Sequence, residues 1–238
     1  MNWIKNQPIA HRGLYKGFEI PENSLYAFKK AIDNNYAIEL DVRLTKDEKV
    51  IVFHDKNLIR LCADRRKIRT QNYDAIKNIK LFNSNETIPT LSDVLKLVRG
   101  KVPLLIEIKN HEEIGLFEEL VVKQLEEYKG EFSICSFNYH ILQWFKKYHP
   151  SISRGLIFGD IKKLEIKYYK ITFLYRFFRV RPDFISLDYK LLDTFIPNFC
   201  RWLRIPIISW TINNKKKRRK AMEIVDNIIF ENIKIKKL

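Results

Sequence analysis

Cysteine, glycine and long apolar runs are all scarce in this chain. Only three cysteines occur among 238 residues: Cys62, Cys135 and Cys200. They lie far apart, are odd in number and form no C-x-x-C pair, which argues against a disulfide framework or a zinc site. Free thiols suit a reducing compartment. The seven glycines form neither a G-x-G-x-x-G fingerprint nor a Walker loop, which weakens nucleotide-binding readings. No apolar run approaches the roughly 18 residues that span a bilayer. The opening residues Met-Asn-Trp-Ile-Lys-Asn-Gln-Pro contain no signal-peptide apolar region. The expectation is a cytoplasmic protein with one domain over residues 1–238.

What the chain does have is apolar and aromatic material, at 46% and 13%, enough to build a core and exclude disorder. It also carries a formal charge of +16, which points to an anionic partner without naming one. Nucleic acid, a phospholipid surface and a phosphate-bearing small molecule all satisfy it.

Short apolar runs alternate with amphipathic ones. Strands are predicted at 8–12, 37–42, 50–54, 102–109, 131–137, 154–158, 183–189, 206–212 and 227–231. Helices are predicted at 23–34, from Thr90 or Ser92 to Val98, and at 114–128, 139–148 and 191–203. One connection has no room for a helix: 43–49 fits a hairpin with its tip at Asp47-Glu48. Pairing Lys46 with Lys49 sets Asp41 opposite His54, with Glu39 on the same face. Discounting the returning arm leaves eight strands, the number a TIM (β/α)8 barrel requires; the hairpin is then an insertion after the second strand. An open doubly wound sheet is the alternative.

Polar clusters end or follow these strands: His11-Arg12, Glu22, Glu39/Asp41, His54-Asp55 and Glu107/Lys109. The carboxylates inside 37–42 and 102–109 interrupt apolar segments, and burying one costs several kcal/mol unless a metal or partner compensates it.

The segments Ile9-Ala10-His11-Arg12-Gly13, Pro21-Glu22-Asn23-Ser24, Glu39-Leu40-Asp41-Val42, Thr45-Lys46-Asp47 and Val52-Phe53-His54-Asp55 resemble, in order and spacing, the N-terminal signature of glycerophosphodiester phosphodiesterases. Ile106-Glu107-Ile108-Lys109, Ser136-Phe137 and Ser209-Trp210-Thr211-Ile212-Asn213 resemble later motifs of that family. The resemblance implies a TIM barrel, a divalent metal and hydrolysis of glycerophosphodiesters to sn-glycerol 3-phosphate and an alcohol. By position it implies that His11 and His54 are the acid/base pair, and that Glu39, Asp41 and Glu107 are metal ligands. Arg12, Glu22 and Lys109 become further active-site positions, and Trp210 an aromatic lining the pocket. Three carboxylates without cysteine favour a hard cation, Mg²⁺ or Ca²⁺. Which histidine is the acid, and whether water or a neighbouring hydroxyl attacks, stay open. The chain departs from the family pattern at Ser24, where threonine is commoner, and at 225–232, where a different sequence replaces the usual last strand.

Residues 159–182 combine basic and aromatic side chains. They read either as an outer helix packing its aromatics inward or as a peripheral contact with anionic membrane. The run Lys215-Lys216-Lys217-Arg218-Arg219-Lys220 reads as a solvated helix face, and His111, His140 and His149 as surface residues. Two competing functions are a lysophospholipase D acting on lysophospholipids at a membrane, and a non-enzymatic basic protein binding anionic lipid or nucleic acid. The second leaves the carboxylates and histidines unexplained, so a small-molecule diester is the expected partner and nucleic acid is not.

Overall fold

The computed structural model describes residues 2–111, 113–160 and 168–235. Among the described residues nine strands occur in chain order, separated by helices except between the second and third: β1 (Ile9–Ala10), β2 (Ala37–Leu44), β3 (Val50–Val52), β4 (Leu104–Ile108), β5 (Phe132–Ser136), β6 (Arg154–Phe158), β7 (Phe184–Asp188), β8 (Ile207–Ile212) and β9 (Asn227–Phe230). Each falls within or against a predicted strand. Eight of them follow the order of a TIM (β/α)8 barrel, and antiparallel β3 is the hairpin insertion after the second strand. No helix among the described residues is long and apolar enough to cross a membrane.

The chain divides into two compact units. In the unit of residues 10–132, strands run in the order β4-β2-β3. β2 and β4 are parallel, and every residue of β4 is buried, as expected for a strand covered on both faces. Helix Leu25–Asp33 is capped by Ser24, whose hydroxyl accepts from Ala27 N–H at 3.1 Å. Helix Leu91–Val98 starts in a capping box between Thr90 and Asp93. Between β3 and that helix, Phe53, Leu58, Leu61, Ile68, Ile76, Leu81 and Ile88 join Ile51 in a separate small apolar core.

In the unit of residues 1–9 and 133–238, strands run β9-β8-β7-β6-β5, all parallel. Phe173 and Phe177, on helix Tyr169–Val180, pack with Phe199 on helix Phe195–Trp202. The divergent last strand has its own device: the buried Asn227 amide donates to Ile4 O (2.8 Å) and Gln7 O (2.7 Å), fastening the helix Trp3–Asn6.

The hairpin register differs by one residue from the expected one. Val42 pairs with Val52 and Leu44 with Val50, so Asp41 stands against Phe53, whose N–H donates to Asp41 O at 2.9 Å. The turn explains the shift. Thr45 pairs with Lys49 around a three-residue loop in which Glu48 takes a left-handed conformation (φ 61°). Asp47 stabilises that loop by accepting from the Thr45 hydroxyl (2.7 Å) and Tyr73 N–H (2.8 Å).

Candidate active site

The residues quoted from the first half of the chain converge within the 10–132 unit. Glu39 and Asp41 share one face of β2, and the parallel register sets Asp41 beside Glu107 of β4. One carboxylate oxygen from each of the three lies within 4.8 Å of the others, and all three residues are buried. Their cations are few. Lys109 Nζ reaches Asp41 Oδ1 at 2.7 Å and Glu107 Oε1 at 2.6 Å. Arg12 Nε lies 3.3 Å from Asp41 Oδ2, and its backbone N–H donates to Glu39 Oε2 at 2.8 Å. Asn23 Nδ2 donates to Asp41 Oδ2 at 2.8 Å.

The short segments after β1 are shaped to deliver these groups. Arg12 and Asn23 both adopt left-handed backbone conformations, φ 53° and 55°, which side chains other than glycine's enter at a cost of roughly 1–3 kcal/mol. Gly13, at φ 80°, has no such cost, and a Cβ there would sit 2.9 Å from Ala27 C and from the Phe28 ring. His11 lies between β1 and Arg12, so the covalent chain holds it next to the residue whose N–H meets Glu39.

Three buried carboxylates against two cations, one of them shared with Glu22, leave negative charge uncompensated. Burial first, and then the Asp41 and Glu107 charges, push the Glu39 carboxyl well above its usual range. Glu107 moves up for the same first reason, burial, and through the Asp41 charge, against the pull of Lys109. Asp41 goes the other way: burial would raise it, but Lys109 and then Arg12 hold it well below the ordinary carboxylate range. A convergent, charge-deficient set of oxygen donors fits a hard divalent cation.

His54 still feels the Asp41 charge despite the register shift. Continued extended pairing would have turned it to the other face, but β3 ends at Val52 and the chain bends. Arg43 donates to His54 O from Nε (2.8 Å) and Nη2 (2.5 Å), tying the bend to β2. The imidazole Nδ1 lies 2.7 Å from Asp55 Oδ1. Burial, reinforced by the Lys109 and Arg12 charges, lowers the His54 pKa, although Asp41 and the Asp55 hydrogen bond oppose this.

Arg60 links two parts of the site that its sequence position does not reveal. It donates from Nη1 to Glu22 Oε2 (2.8 Å) and from Nη2 to Glu22 Oε1 (2.7 Å). Its Nε donates to Asp55 Oδ2 (2.8 Å). Glu22 Oε1 also accepts from Arg12 Nη1 at 2.6 Å. An unbroken chain of charged contacts therefore runs from His54 through Asp55, Arg60, Glu22, Arg12 and Asp41 to Lys109. Arg43 was missed as well, and Asn23 was quoted only as part of a motif.

Trp210 belongs to the other unit. It is half-buried on β8, donates from Nε1 to Ser186 O at 3.1 Å and meets Phe137 edge-on at 5.5 Å. Of the histidines read as surface residues, His140 is exposed and His149 stacks on Trp144. His111 is largely enclosed: Nε2 lies 2.8 Å from the buried Glu118 carboxylate, and the ring meets Phe117 edge-on. The Lys215–Met222 helix is solvated as expected, with Lys220 paired to Asp193. In the 159–182 segment, 161–167 lie outside the described residues. The helix that follows buries Phe173, Phe177 and Val180 but leaves Ile171, Tyr175 and Phe178 exposed.

An α/β barrel order with carboxylates on β2 and β4, and histidines just after β1 and β3, has the form of a TIM-barrel enzyme site. Residues 11–184 match the glycerophosphoryl diester phosphodiesterase family, and the chain belongs to that family. It is accordingly a phosphoric diester hydrolase, a glycerophosphodiester phosphodiesterase. The YhdW protein of Bacillus subtilis (strain 168) is 31% identical over 240 residues, 93% of this chain and 92% of that one. A glycerophosphodiester phosphodiesterase of Caldanaerobacter subterraneus subsp. tengcongensis is 29% identical over 244 residues, 96% and 95% of the two chains. Among solved structures, the Thermotoga maritima glycerophosphodiester phosphodiesterase superposes with a TM-score of 0.77 at 27% identity, covering 94% of each chain. An Oleispira antarctica phosphodiesterase, solved in complex with its product sn-glycerol-3-phosphate, gives 0.82 at 23% identity over 94% and 92%. At that identity it bears on the fold.

Proposed function

We propose that the protein hydrolyses glycerophosphodiesters to sn-glycerol 3-phosphate and an alcohol in the cytoplasm. In this reading Mg²⁺ or Ca²⁺ is held by Glu39, Asp41 and Glu107, and His11 and His54 divide the acid and base work. The observation that carries it is the convergence of three buried carboxylates from β2 and β4, with the Asp41 charge acting on His54. The family membership supports the substrate class. Three cysteines with no disulfide among them support the compartment.

A divalent cation at the carboxylates supplies positive charge that offsets the phosphodiester and draws electron density from phosphorus. The residues do the rest. Arg12 and Lys109 present cations to the non-bridging oxygens. One imidazole takes the proton of the attacking oxygen, from water or a neighbouring glycerol hydroxyl, and the other protonates the departing alkoxide; hydroxyl attack gives a cyclic phosphate that water then opens to sn-glycerol 3-phosphate. Asp55 orients His54, Arg60 holds Asp55, and Arg43 fixes the His54 backbone. Glu22, fully engaged by Arg12 and Arg60, aims Arg12.

The test is release of sn-glycerol 3-phosphate from glycerophosphoglycerol, paired with calorimetric titration of Mg²⁺ and Ca²⁺. Metal-dependent release with one bound ion per chain supports the reading, and equal release in excess chelator overturns it. A second reading, a lysophospholipase D at a membrane, is favoured by the exposed face of Ile171, Tyr175 and Phe178 beside Lys170 and Arg179. Turnover of lysophosphatidylcholine stimulated by anionic vesicles would support it, and absence of such turnover would exclude it.

A further inference from the structure

A cavity of about 490 Å³ opens within the 10–132 unit beside the carboxylate cluster. Arg43, Lys56, Lys67, Arg69 and Lys109 line it, and among the described residues Glu113 is the one acidic side chain lining it. Two of the five cations belong to both places. Lys109 bridges Asp41 and Glu107, and Arg43 holds the His54 carbonyl. A group seated in the cavity is therefore one side chain away from the reacting centre.

The excess positive charge here is built in. Asn57 and Lys67 form an antiparallel bridge, and Ile68 N–H donates to Lys56 O at 3.1 Å, so the two lysine-bearing strands run side by side. Ile68 between Lys67 and Arg69 is buried in the small apolar core, which anchors that arm. Arg69 is fixed in turn by Nη1 donating to Thr45 O at 2.7 Å. Among the described residues, neither Lys56 nor Lys67 has a carboxylate partner, whereas Lys109 is taken up by the cluster. His111, which also lines the cavity, is turned toward the buried Glu118. Like charges gathered around a concave surface repel one another and focus a positive potential that favours an anion.

We propose that this cavity receives the leaving alcohol of the substrate and selects one that carries its own negative charge, a phosphate or a carboxylate, over a cationic choline. The assignment rests on the function proposed above and adds its substrate class. The lysines of the hairpin after β3 meet the distal charge, while Arg12, Lys109 and the carboxylates handle the scissile phosphate.

The experiment compares kcat/KM at low ionic strength for four diesters of glycerol phosphate. Their second alcohols are glycerol phosphate, glycerate, glycerol and choline. The wild-type enzyme is expected to favour the phosphate-bearing diester over the glycerol diester by roughly tenfold, with choline last. The glycerate diester, placed near the phosphate one or near the glycerol one, distinguishes recognition of charge from recognition of phosphate. The double variant Lys56→Glu/Lys67→Glu is expected to reverse the order. Lys29→Glu, the same charge change on an exposed residue of helix Leu25–Asp33, is expected to preserve it. Added salt should raise KM for the phosphate-bearing diester and compress the ratio. Equal turnover of all four by the wild type, or a double variant that slows all four alike with an unchanged melting temperature, would overturn the proposal alone. No turnover of any diester would overturn the function above together with it.

Discussion

Asp41 and Glu107 are direct neighbours in the parallel pairing of β2 and β4, and a single ammonium, Lys109, touches both at 2.7 and 2.6 Å. The two carboxylates nevertheless differ: Asp41 is driven down, and Glu107 rises with burial. Lys109 and then Arg12, which lies 3.3 Å from Asp41, hold Asp41 down, while the ionised Asp41 adds to the burial that raises Glu107. A divalent ion is expected to find Asp41 already ionised and to displace a proton from the Glu39/Glu107 pair. Calorimetry in buffers of different ionisation enthalpy should therefore report proton release on metal binding that grows as the pH is lowered. Glu39→Gln, Asp41→Asn and Glu107→Gln should each weaken binding, and Glu39→Gln and Glu107→Gln should also reduce the proton release.

The Arg60 bridge gives a stability test. Glu22 has a folded pKa below its ordinary 4.5: burial would raise it, but the Arg60 hydrogen bonds and then the Arg12 charge prevail. Such a group stabilises the fold above its unfolded pKa, and the contribution disappears as pH falls through the folded value. Arg60→Ala is expected to cost about 1–2 kcal/mol at pH 7, less than a fully buried pair because Arg60 is half-exposed. It should also flatten the loss of stability between pH 5 and 3. Urea titrations across that range check both.

His54 should titrate below the ordinary 6.5, with burial the leading cause. Between its folded pKa and 6.5 the unfolded chain binds more protons than the folded one, so stability rises with pH across that window. Asp55→Asn removes the hydrogen bond that raises the His54 value. The imidazole NMR titration of that variant should shift further down, whether His54 is the acid or the base. A folded-state titration at or above 6.5 would contradict the electrostatics.

Gly13→Ala is expected to destabilise the protein by roughly 1–3 kcal/mol, because φ is 80° and the new Cβ meets Ala27 and Phe28. The same change at Gly17, also at positive φ but in open space, should cost less. Comparing the two melting temperatures separates packing from backbone strain.

The strands were legible because parallel barrel strands are nearly continuous apolar runs, and Leu104–Ile108 is buried throughout. Glu39, Asp41 and Glu107 were legible for the opposite reason, as carboxylates interrupting such runs. The hairpin register was not, because it depends on Asp47 capturing Thr45 and Tyr73 and on Glu48 entering the left-handed region. A tip written Asp-Glu carries no glycine to announce that geometry. Arg60 was invisible because it meets Glu22 across 38 residues of sequence, and His111 because its partner Glu118 is a helix glutamate that the sequence does not distinguish from the exposed Glu126 of the same helix.

The most direct test is the rate of sn-glycerol 3-phosphate release from glycerophosphoglycerol by the wild type, His11→Ala and His54→Ala, each with its metal content measured on the same sample. Loss of roughly 10²–10⁴-fold in kcat for both variants with the metal retained is the expected result. Near wild-type turnover by either variant, with its metal still bound, would contradict the two-histidine site.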